Sequence, residues 1–369
     1  MSDFIRYRYG RRLDDFQIGA TYDHPWEVTI DDGMIALFAA SFQDSMPLHA
    51  SRVAARAVGF SDRPLHPLLT LNLALSFSVH DVSEQAIAHL AYLDVRFPEP
   101  GYAGDTVTAR STVLGVKPSA SGDKGVVHVR TALTNQDGRV LCAFERKALI
   151  RAGRLDDRPA AATSPSTLSV QSLTDLSRLP PELRGTIPPA TRAVALPGHF
   201  EDFHAGQRIV HAFGRTVGET EHMQLTTLVR NSHPLHFDEG YCRENSFTKK
   251  RVVYGGLVFA YVASLTSRDL AGHALWELGF DQGAHPASVA AGDTLYAVSQ
   301  VLATEGTQYG GAAGAVTFKL VGLNNLRGDT ALERYGDALF ADELGKSDGK
   351  IKEKVFEIRR TLLVRKRPG

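Results

Sequence analysis

This chain of 369 residues repeats itself, and the repeat limits the folds open to it more than any other feature. Four segments of the first half recur in the second half, in the same order and at nearly constant spacing. Chance resemblance does not preserve order in this way, so the chain is predicted to contain two copies of one folding unit. The matching pairs are Leu13–Gly19 with Phe200–Gly206, Met46–His49 with His233–His236, Tyr102–Val107 with Ala290–Leu295, and Phe144–Arg151 with Phe356–Arg365.

The repeat sets the expected domain boundaries. Residues 1–153 form the first unit and residues 198–369 form the second. Between them, residues 154–197 are rich in Pro, Ala, Ser and Thr and sustain no long apolar period, which is typical of a linker. The last pair of matches is more widely spaced than the others. This indicates an insertion near residues 328–350, which is expected to be a surface loop or a short helix.

The order of polar and apolar segments is the same in both units. A capped helix comes first, ending near Phe42 or Val229, and a Pro-Leu-His loop follows it. Next comes a helix that is apolar on most faces, Pro67–Val79 or Gly256–Ser267, and such a helix is buried. Segments of β type with Gly-Asp turns complete each unit. One buried helix wrapped by an antiparallel sheet is the α+β hotdog arrangement, so two fused hotdog units are predicted.

Composition excludes several classes of function. Lysine plus arginine equals aspartate plus glutamate, so no net charge draws the chain to nucleic acid or to an anionic membrane. The longest apolar stretches are too short to span a bilayer, and the basic N-terminus lacks the apolar region of a secretory signal. Two cysteines, Cys142 and Cys242, fit a reducing cytosol, and no CxxC or HExxH motif indicates zinc. A cytoplasmic protein without a metal site is expected.

Two copies of a Pro-Leu-His loop supply the candidate catalytic groups. In the first half Asp44 precedes His49 by five residues, and in the second half Asn231 precedes His236 by the same distance. Acid–base chemistry on water needs two polar groups that converge on it, at least one of which titrates near neutrality. The proline between the two side chains restricts the backbone and favours this convergence. Both loops are therefore candidate sites.

The start of each buried helix is the second candidate element. Backbone N–H groups at a helix N-terminus can stabilise an anionic oxygen. Gly255 and Gly256 open the second buried helix, whereas Pro67 opens the first and has no N–H to donate. The first half thus keeps the Asp/His pair without the amide donor. The second half keeps the donor but has Asn231 in place of an aspartate.

These motifs resemble those of the MaoC-like (R)-specific enoyl-CoA hydratases, hotdog enzymes whose signature loop reads Gly-Asp-x-Asn-Pro-Leu-His. A closer resemblance, densest from Phe200 to Gln300, is to the mesaconyl-CoA hydratases, or β-methylmalyl-CoA dehydratases, which are fused double-hotdog members of that superfamily. The resemblance implies reversible hydration of a branched 2-enoyl-CoA, with mesaconyl-CoA foremost, CoA as part of the substrate and no further cofactor. It is carried by Glu221–Gln224, Arg230, Asn231, His236, Arg251–Gly256 and Ala291–Tyr296.

The resemblance also implies roles for single residues. His236 would be the base and Asn231 would orient water, with Gly255 and Gly256 at the thioester oxygen. One working site per chain is expected, with the first half shaping the acyl pocket, and hotdog units usually associate into homo-oligomers. The remaining candidates are Asp44 with His49 as a competing site, Arg230 as a cation for a second carboxylate, and Tyr254, Lys250 and Arg251 as contacts to the substrate and CoA.

Other interpretations stay open at this stage. A lone Pro-Leu-His is usually a turn with a satisfied histidine, the glycine pair can serve close packing, and Lys250 can belong to a solvated cluster. Among enzymes, a straight-chain (R)-enoyl-CoA hydratase or a hotdog thioesterase competes. A thioesterase is expected to carry a carboxylate on the buried helix, and neither helix has one. A non-catalytic acyl-CoA-binding subunit is the alternative from a different class.

Overall fold

An antiparallel sheet joins the two halves of the chain in the computed structural model, which describes residues 9–154, 179–184, 197–306, 311–343, 346 and 349–367. Most of the predicted linker therefore lies outside the described residues. The strands are β1 (Thr21–Asp23), β2 (Val28–Thr29), β3 (Ala86–Arg96), β4 (Thr106–Pro118), β5 (Lys124–Asn135), β6 (Val140–Arg151), β7 (Arg208–Val210), β8 (Arg215–Thr216), β9 (Ala274–Ala284), β10 (Thr294–Glu305), β11 (Ala313–Asn324) and β12 (Lys354–Arg365).

The sheet has the same strand order in each half. From its outer edge inward, the first half runs β1-β4-β5-β6-β3 and the second half runs β7-β10-β11-β12-β9, while β2 pairs with β4 and β8 with β10. The halves meet where β3 pairs with β9, with Tyr92 opposite Gly283 and Val95 opposite Phe280. Equivalent strands thus occupy equivalent places about this central pair. The predicted α+β fold of two fused hotdog units is confirmed.

Each half wraps its strands around one long buried helix. Every residue of the first of these helices, α4, is buried. Helix α4 packs on β4, β5 and β6, its counterpart α7 packs on β10, β11 and β12, and the two helices also contact each other. No helix among the described residues is both long and apolar enough to cross a membrane. The helices are α1 (Asp32–Phe42), α2 (Pro47–Ala50), α3 (Arg52–Val58), α4 (Pro67–Phe77), α5 (Glu219–Leu228), α6 (Glu239–Asn245), α7 (Gly255–Leu270) and α8 (Gly328–Tyr335).

A buried histidine bonded in the same way in both halves gives further support for duplication. His24 lies between Asp81 (Nδ1 to Oδ2, 3.0 Å) and Ser111 (Nε2 to Oγ, 2.7 Å). The equivalent trio in the second half is His211, Asp269 and Ser299. Ser111 and Ser299 are both fully buried, so the trios are structural links between strand and helix end and not nucleophilic sites. Neither trio was predicted from the sequence.

The predicted insertion contains a helix. It includes α8 and a 3-10 turn, Gly336–Phe340, and lies between β11 and β12. Leu339 packs with Val298 of β10 and Val321 of β11 in a small apolar cluster. The insertion therefore covers the outer face of the second half of the sheet, away from α7.

Gly256 sets the distance between the two buried helices. A Cβ atom at this position would lie 2.1 Å from Oδ1 of Asn72 on α4, and the Asn72 side-chain amide donates to the Gly256 carbonyl (3.2 Å). Gly256→Ala is expected to lower the free energy of unfolding by about 1–3 kcal/mol, as overpacking of a core does. Urea denaturation measures this change. Gly115→Ala is the control, because its Cβ would meet its nearest neighbour at an ordinary 3.8 Å; equal effects would contradict the close contact of the helices.

Candidate active site

A cavity of about 120 Å³ lies where the two halves meet, far more than the roughly 10–15 Å³ that one water needs. The second half contributes its Pro-Leu-His loop and the start of α7. The first half contributes β3, β6, the end of α4 and the π-helical turn Val79–Ser83. The lining residues are Leu75, Val79, Ser83, Ala86, Ile87, Ala88, His89, Tyr92, Arg146 and Ala148 from the first half, and Asn231, His233, Leu235, His236, Tyr254 and Gly255 from the second.

His236 has the properties of a general base. Its Nδ1 lies 2.9 Å from the Val252 carbonyl oxygen, so Nδ1–H donates there and Nε2 keeps its lone pair. Burial lowers the pKa of His236 to about 4, which leaves the imidazole neutral at pH 7. The loop that holds it is fixed by His233, whose Nδ1 accepts the Leu235 N–H (3.1 Å). His236 can therefore accept a proton from a molecule in the cavity.

Asn231 lies in the same wall and is itself held in place. It is buried, and its side-chain oxygen accepts the backbone N–H of His233 (3.0 Å). Its side chain is also hydrogen-bonded to the hydroxyl of Tyr254, which accepts from Ser76 Oγ (3.3 Å). An amide has no proton that titrates near neutrality. Asn231 can thus orient a water molecule but cannot exchange a proton with it.

Of the two predicted glycines, only Gly255 lines the cavity. It is the first residue of α7, so its N–H has no acceptor within the helix. A Cβ atom here would lie 2.9 Å from Nε2 of His285, so the glycine leaves the backbone amide accessible where a side chain would not fit. Gly256 is buried against α4 as described above. The sixteen-residue helix adds its dipole to the donor at Gly255.

The Pro-Leu-His loop of the first half has the same histidine-to-backbone contact, but its polar side chains contact other residues of the protein. His49 Nδ1 lies 3.1 Å from the Pro64 carbonyl oxygen, as His236 does from Val252. Asp44 lies 3.2 Å from Nε2 of His66, and this neighbour outweighs burial and lowers the pKa of Asp44 to about 2. Burial lowers the pKa of His49 to about 3. Asp44 is therefore held by an internal contact with His66, and neither Asp44 nor His49 lines the cavity.

The start of α4 is also closed. Pro67 is its first residue and has no N–H, and the next amide, that of Leu68, donates to Nδ1 of His66 (3.1 Å). Trp276 of β9 fills the space next to the loop, with its ring 6.2 Å from that of His49 and stacked on Phe60 at 5.7 Å. The first half thus has the Asp44 and His49 side chains, but no accessible backbone N–H at the start of α4.

The cations predicted from the sequence lie away from the cavity. Arg230 is exposed and has a positive φ of 61°, and it is not among the lining residues. Arg251 forms ion pairs with Glu219 and Glu239, which already compensate its charge. Lys250 is exposed. The placement of Arg230 does not support a carboxylate-binding role, because an exposed side chain is not held towards the reacting groups.

A second cavity of about 260 Å³ adjoins the first and shares part of its wall. Lys249 and Arg151 line it, together with Phe247, which is strongly exposed. A cationic, partly aromatic opening of this kind suits a phosphorylated nucleotide carrier. The sequence predicted that Lys250 and Arg251 of this loop contact CoA. Of these three consecutive cations, it is Lys249 that lines the second cavity.

Sequence reasoning missed the cavity residues of the first half, among them His89, Tyr92 and Arg146. No local motif marks them, because they come together only through strand pairing, with Tyr92 opposite Arg146 on β3 and β6. The available signal was the internal repeat. Counting back five residues from the matched ends of the fourth pair, Arg151 and Arg365, places Arg146 on the same position as a second arginine, Arg360.

A family model matches most of the chain. The model describes mesaconyl-CoA hydratase and matches residues 6–331. The mesaconyl-CoA hydratase of Cereibacter sphaeroides is 33% identical over 316 residues, which cover 86% of this chain and 90% of the relative. The β-methylmalyl-CoA dehydratase of Chloroflexus aurantiacus is also 33% identical, over 298 residues, 80% of this chain and 82% of the relative.

Solved structures resemble the chain along nearly its whole length. A MaoC domain dehydratase from Chloroflexus aurantiacus has a TM-score of 0.80 and 28% identity, and the match covers 97% of this chain and 98% of that one. A double hotdog protein from Mycobacterium tuberculosis has a TM-score of 0.68 at 20% identity, over 95% and 98% of the two chains. The second likeness concerns the fold alone.

The low pKa of His236 can be tested directly. We expect its ring to stay neutral from about pH 8 down to about pH 5.5 and to take up a proton only as the pH approaches 4, because burial disfavours the charged form. NMR titration of the histidine ring carbons measures this, with the His236 signal assigned by its loss in His236→Ala. In the urea-unfolded chain the same ring should titrate near 6.5. A folded-state midpoint near 6.5 would contradict the prediction.

Proposed function

Because the chain belongs to the mesaconyl-CoA hydratase family, we propose that it catalyses the reversible addition of water to mesaconyl-CoA, forming β-methylmalyl-CoA. The family and its named relatives make the chain a hydro-lyase. The observation that carries the assignment to this site is one cavity in which a neutral histidine, a fixed amide side chain and a free helix N-terminus meet: His236, Asn231 and Gly255.

The first requirement of the reaction is stabilisation of an enolate. Attack of water on C3 of the enoyl thioester moves electrons onto the thioester oxygen. The Gly255 N–H, at the positive end of α7, is the donor we assign to that oxygen. The thioester itself makes the α-carbon acidic, so we propose that no cofactor is required.

The second requirement is proton transfer between water and C2. His236 takes a proton from water through Nε2 while the water oxygen bonds to C3. The resulting imidazolium then gives this proton to C2 of the enolate, which restores the neutral base. Asn231 holds the water and has no proton to exchange, so one residue carries out both transfers. Delivery from one side implies syn addition.

We also propose a cytoplasmic location and a homo-oligomeric state. Cys142 and Cys242 are both free and buried, which suits a reducing compartment. Val53 and Phe213 are strongly exposed apolar side chains that support contact between copies of the chain.

Exchange of each loop histidine distinguishes the two candidate sites. His236→Ala is expected to lower kcat/KM for mesaconyl-CoA by about 10²–10⁴-fold, the usual contribution of a positioned acid–base group. Loss of enoyl-thioester absorbance measures the rate. His49→Ala is the matched control, since it has the same backbone contact without facing the cavity, and it should leave this rate within about threefold. The reverse pattern would assign catalysis to the first half.

The closed first-half loop predicts one binding site per chain. Isothermal titration with methylsuccinyl-CoA, a saturated analogue that cannot be hydrated, is expected to give one equivalent per chain. His236→Ala should keep this stoichiometry, because it removes chemistry and not the cavity. Two equivalents with equal affinity would mean that Asp44 and His49 also form a working site.

A further inference from the structure

We propose that Arg146 binds the free carboxylate of the substrate and makes the site selective for a dicarboxylic acyl group over a neutral one. This inference rests on the proposed function and names a residue that sets its specificity. Arg146 lies on β6 in the first half, whereas the reacting groups come from the second half. It is the one lysine or arginine in the part of the cavity wall that the structure describes.

Arg146 is a buried cation without a carboxylate partner among the described residues. It is 2% exposed, and its donors reach Ser78 Oγ at 2.9 Å and Ser83 Oγ at 3.3 Å, both neutral. Its Nε has no hydrogen-bond partner. Asp81, on the turn between the two serines, is bonded to Arg11 and His24. Burial lowers the pKa of Arg146 to about 10, so it stays charged at pH 7.

A buried charge of this kind is costly unless something compensates it. The uncompensated charge of Arg146 lies in a cavity wall, where a bound anion can offset the cost of burying it. A guanidinium suits a carboxylate because its N–H groups match the two oxygens in one plane. The missing partner of Arg146 is therefore expected to arrive with the substrate.

The internal repeat supplies a direct comparison. Arg360 stands opposite Phe280 on β12 and β9, as Arg146 stands opposite Tyr92 on β6 and β3. Arg360 is equally buried, yet its Nε and Nη2 lie 2.9 and 2.8 Å from Oε2 of Glu277. In the second half, the fold thus pairs this arginine with a carboxylate of the protein itself.

The residue equivalent to Glu277 in the first half is His89. His89 pairs with Ala148 across β3 and β6, in the register that Glu277 has with Leu362 across β9 and β12. Burial holds the pKa of His89 well below its ordinary value, so its ring is neutral at pH 7 and cannot replace a carboxylate. The counter-charge is therefore absent from the strand of the first half that lines the cavity.

The neighbouring position explains why space is available there. Ala88 lines the cavity, and its equivalent one residue before Glu277 is Trp276, which fills the corresponding space beside His49. The small side chain and the uncompensated arginine occur together in one half. The large side chain and the paired arginine occur together in the other. Both differences favour an anionic group of the substrate beside Arg146.

The chemistry of mesaconyl-CoA fits this arrangement. Its four-carbon chain has the thioester at one end and a carboxylate at the other. With the thioester oxygen at Gly255 and the double bond near His236, the carboxylate lies further along the cavity wall, where Arg146 supplies the positive charge. Replacing that carboxylate by a methyl group removes the proposed contact and little else.

The test compares two saturated thioesters that differ in this one group, methylsuccinyl-CoA and 2-methylbutyryl-CoA. Arg146→Gln is expected to weaken binding of methylsuccinyl-CoA by about 10²–10³-fold, as loss of one partner of a buried charge pair does, and binding of 2-methylbutyryl-CoA by less than about threefold. Arg146→Lys keeps a cation and should recover part of the difference. Calorimetric dissociation constants give the comparison. Arg139→Gln, an exposed arginine on the β5–β6 hairpin, is the control and should change neither.

A second variant tests the same idea with the arginine in place. His89→Glu copies the pairing of Glu277 with Arg360 and should reduce binding of methylsuccinyl-CoA selectively, because an internal carboxylate then competes with the substrate. Equal weakening of both thioesters in Arg146→Gln and His89→Glu would overturn the inference, as would no weakening in either. Hydration of mesaconyl-CoA by the unaltered chain is measured alongside. Failure there refutes the proposed function itself, whereas hydration without carboxylate selectivity refutes only the role of Arg146.

Discussion

The pairing of β3 with β9 is the contact on which the rest of the molecule depends. It joins the two halves through Tyr92 opposite Gly283 and Val95 opposite Phe280. Because of this pairing, each half supplies a wall for the loop of the other half. Ala88 borders the loop of His236, and Trp276 borders the loop of His49. A homodimer of a single unit must carry the same residue at both places. A fused chain is free to differ, and here that freedom leaves one loop open and the other filled.

The fold could be predicted from the internal repeat, and the second-half part of the candidate site from signals that are local. Asn231, His236 and Gly255 belong to short motifs, and Pro67 reveals from its covalent structure alone that the first helix lacks an amide donor. Arg146 could not be found in this way, since its place at the cavity depends on the register between β3 and β6. Arg230 was chosen because it adjoins Asn231 in the sequence. Adjacent residues do not have to point their side chains in the same direction. The backbone at Arg230 has left-handed geometry, and its side chain is exposed.

The first-half motif holds its polar side chains in contacts within the protein. Asp44, which would have shared a proton with water, is held by His66 and by the backbone N–H of Met46. Ser45 donates its backbone N–H to Ser267 of α7, so this loop also ties the first half to the second. Replacing such residues would leave buried polar groups without partners, which is costly. These internal contacts are a sufficient structural reason for an Asp/His pair beside a loop against which Trp276 packs.

In the proposed reaction, the two halves act on different parts of the substrate. The second half holds the groups to which we assign the hydration: a base, a water-orienting amide and a donor for the thioester oxygen. The first half contributes Ala88, His89 and Arg146 to the cavity wall, and we assign the acyl chain to this part of the wall. Specificity and chemistry thus lie on separate strands and loops of one chain. Substitutions on β3 and β6 could then change the preferred acyl group while the Pro-Leu-His loop of the second half stays the same, because neither strand carries a group assigned to the proton transfer.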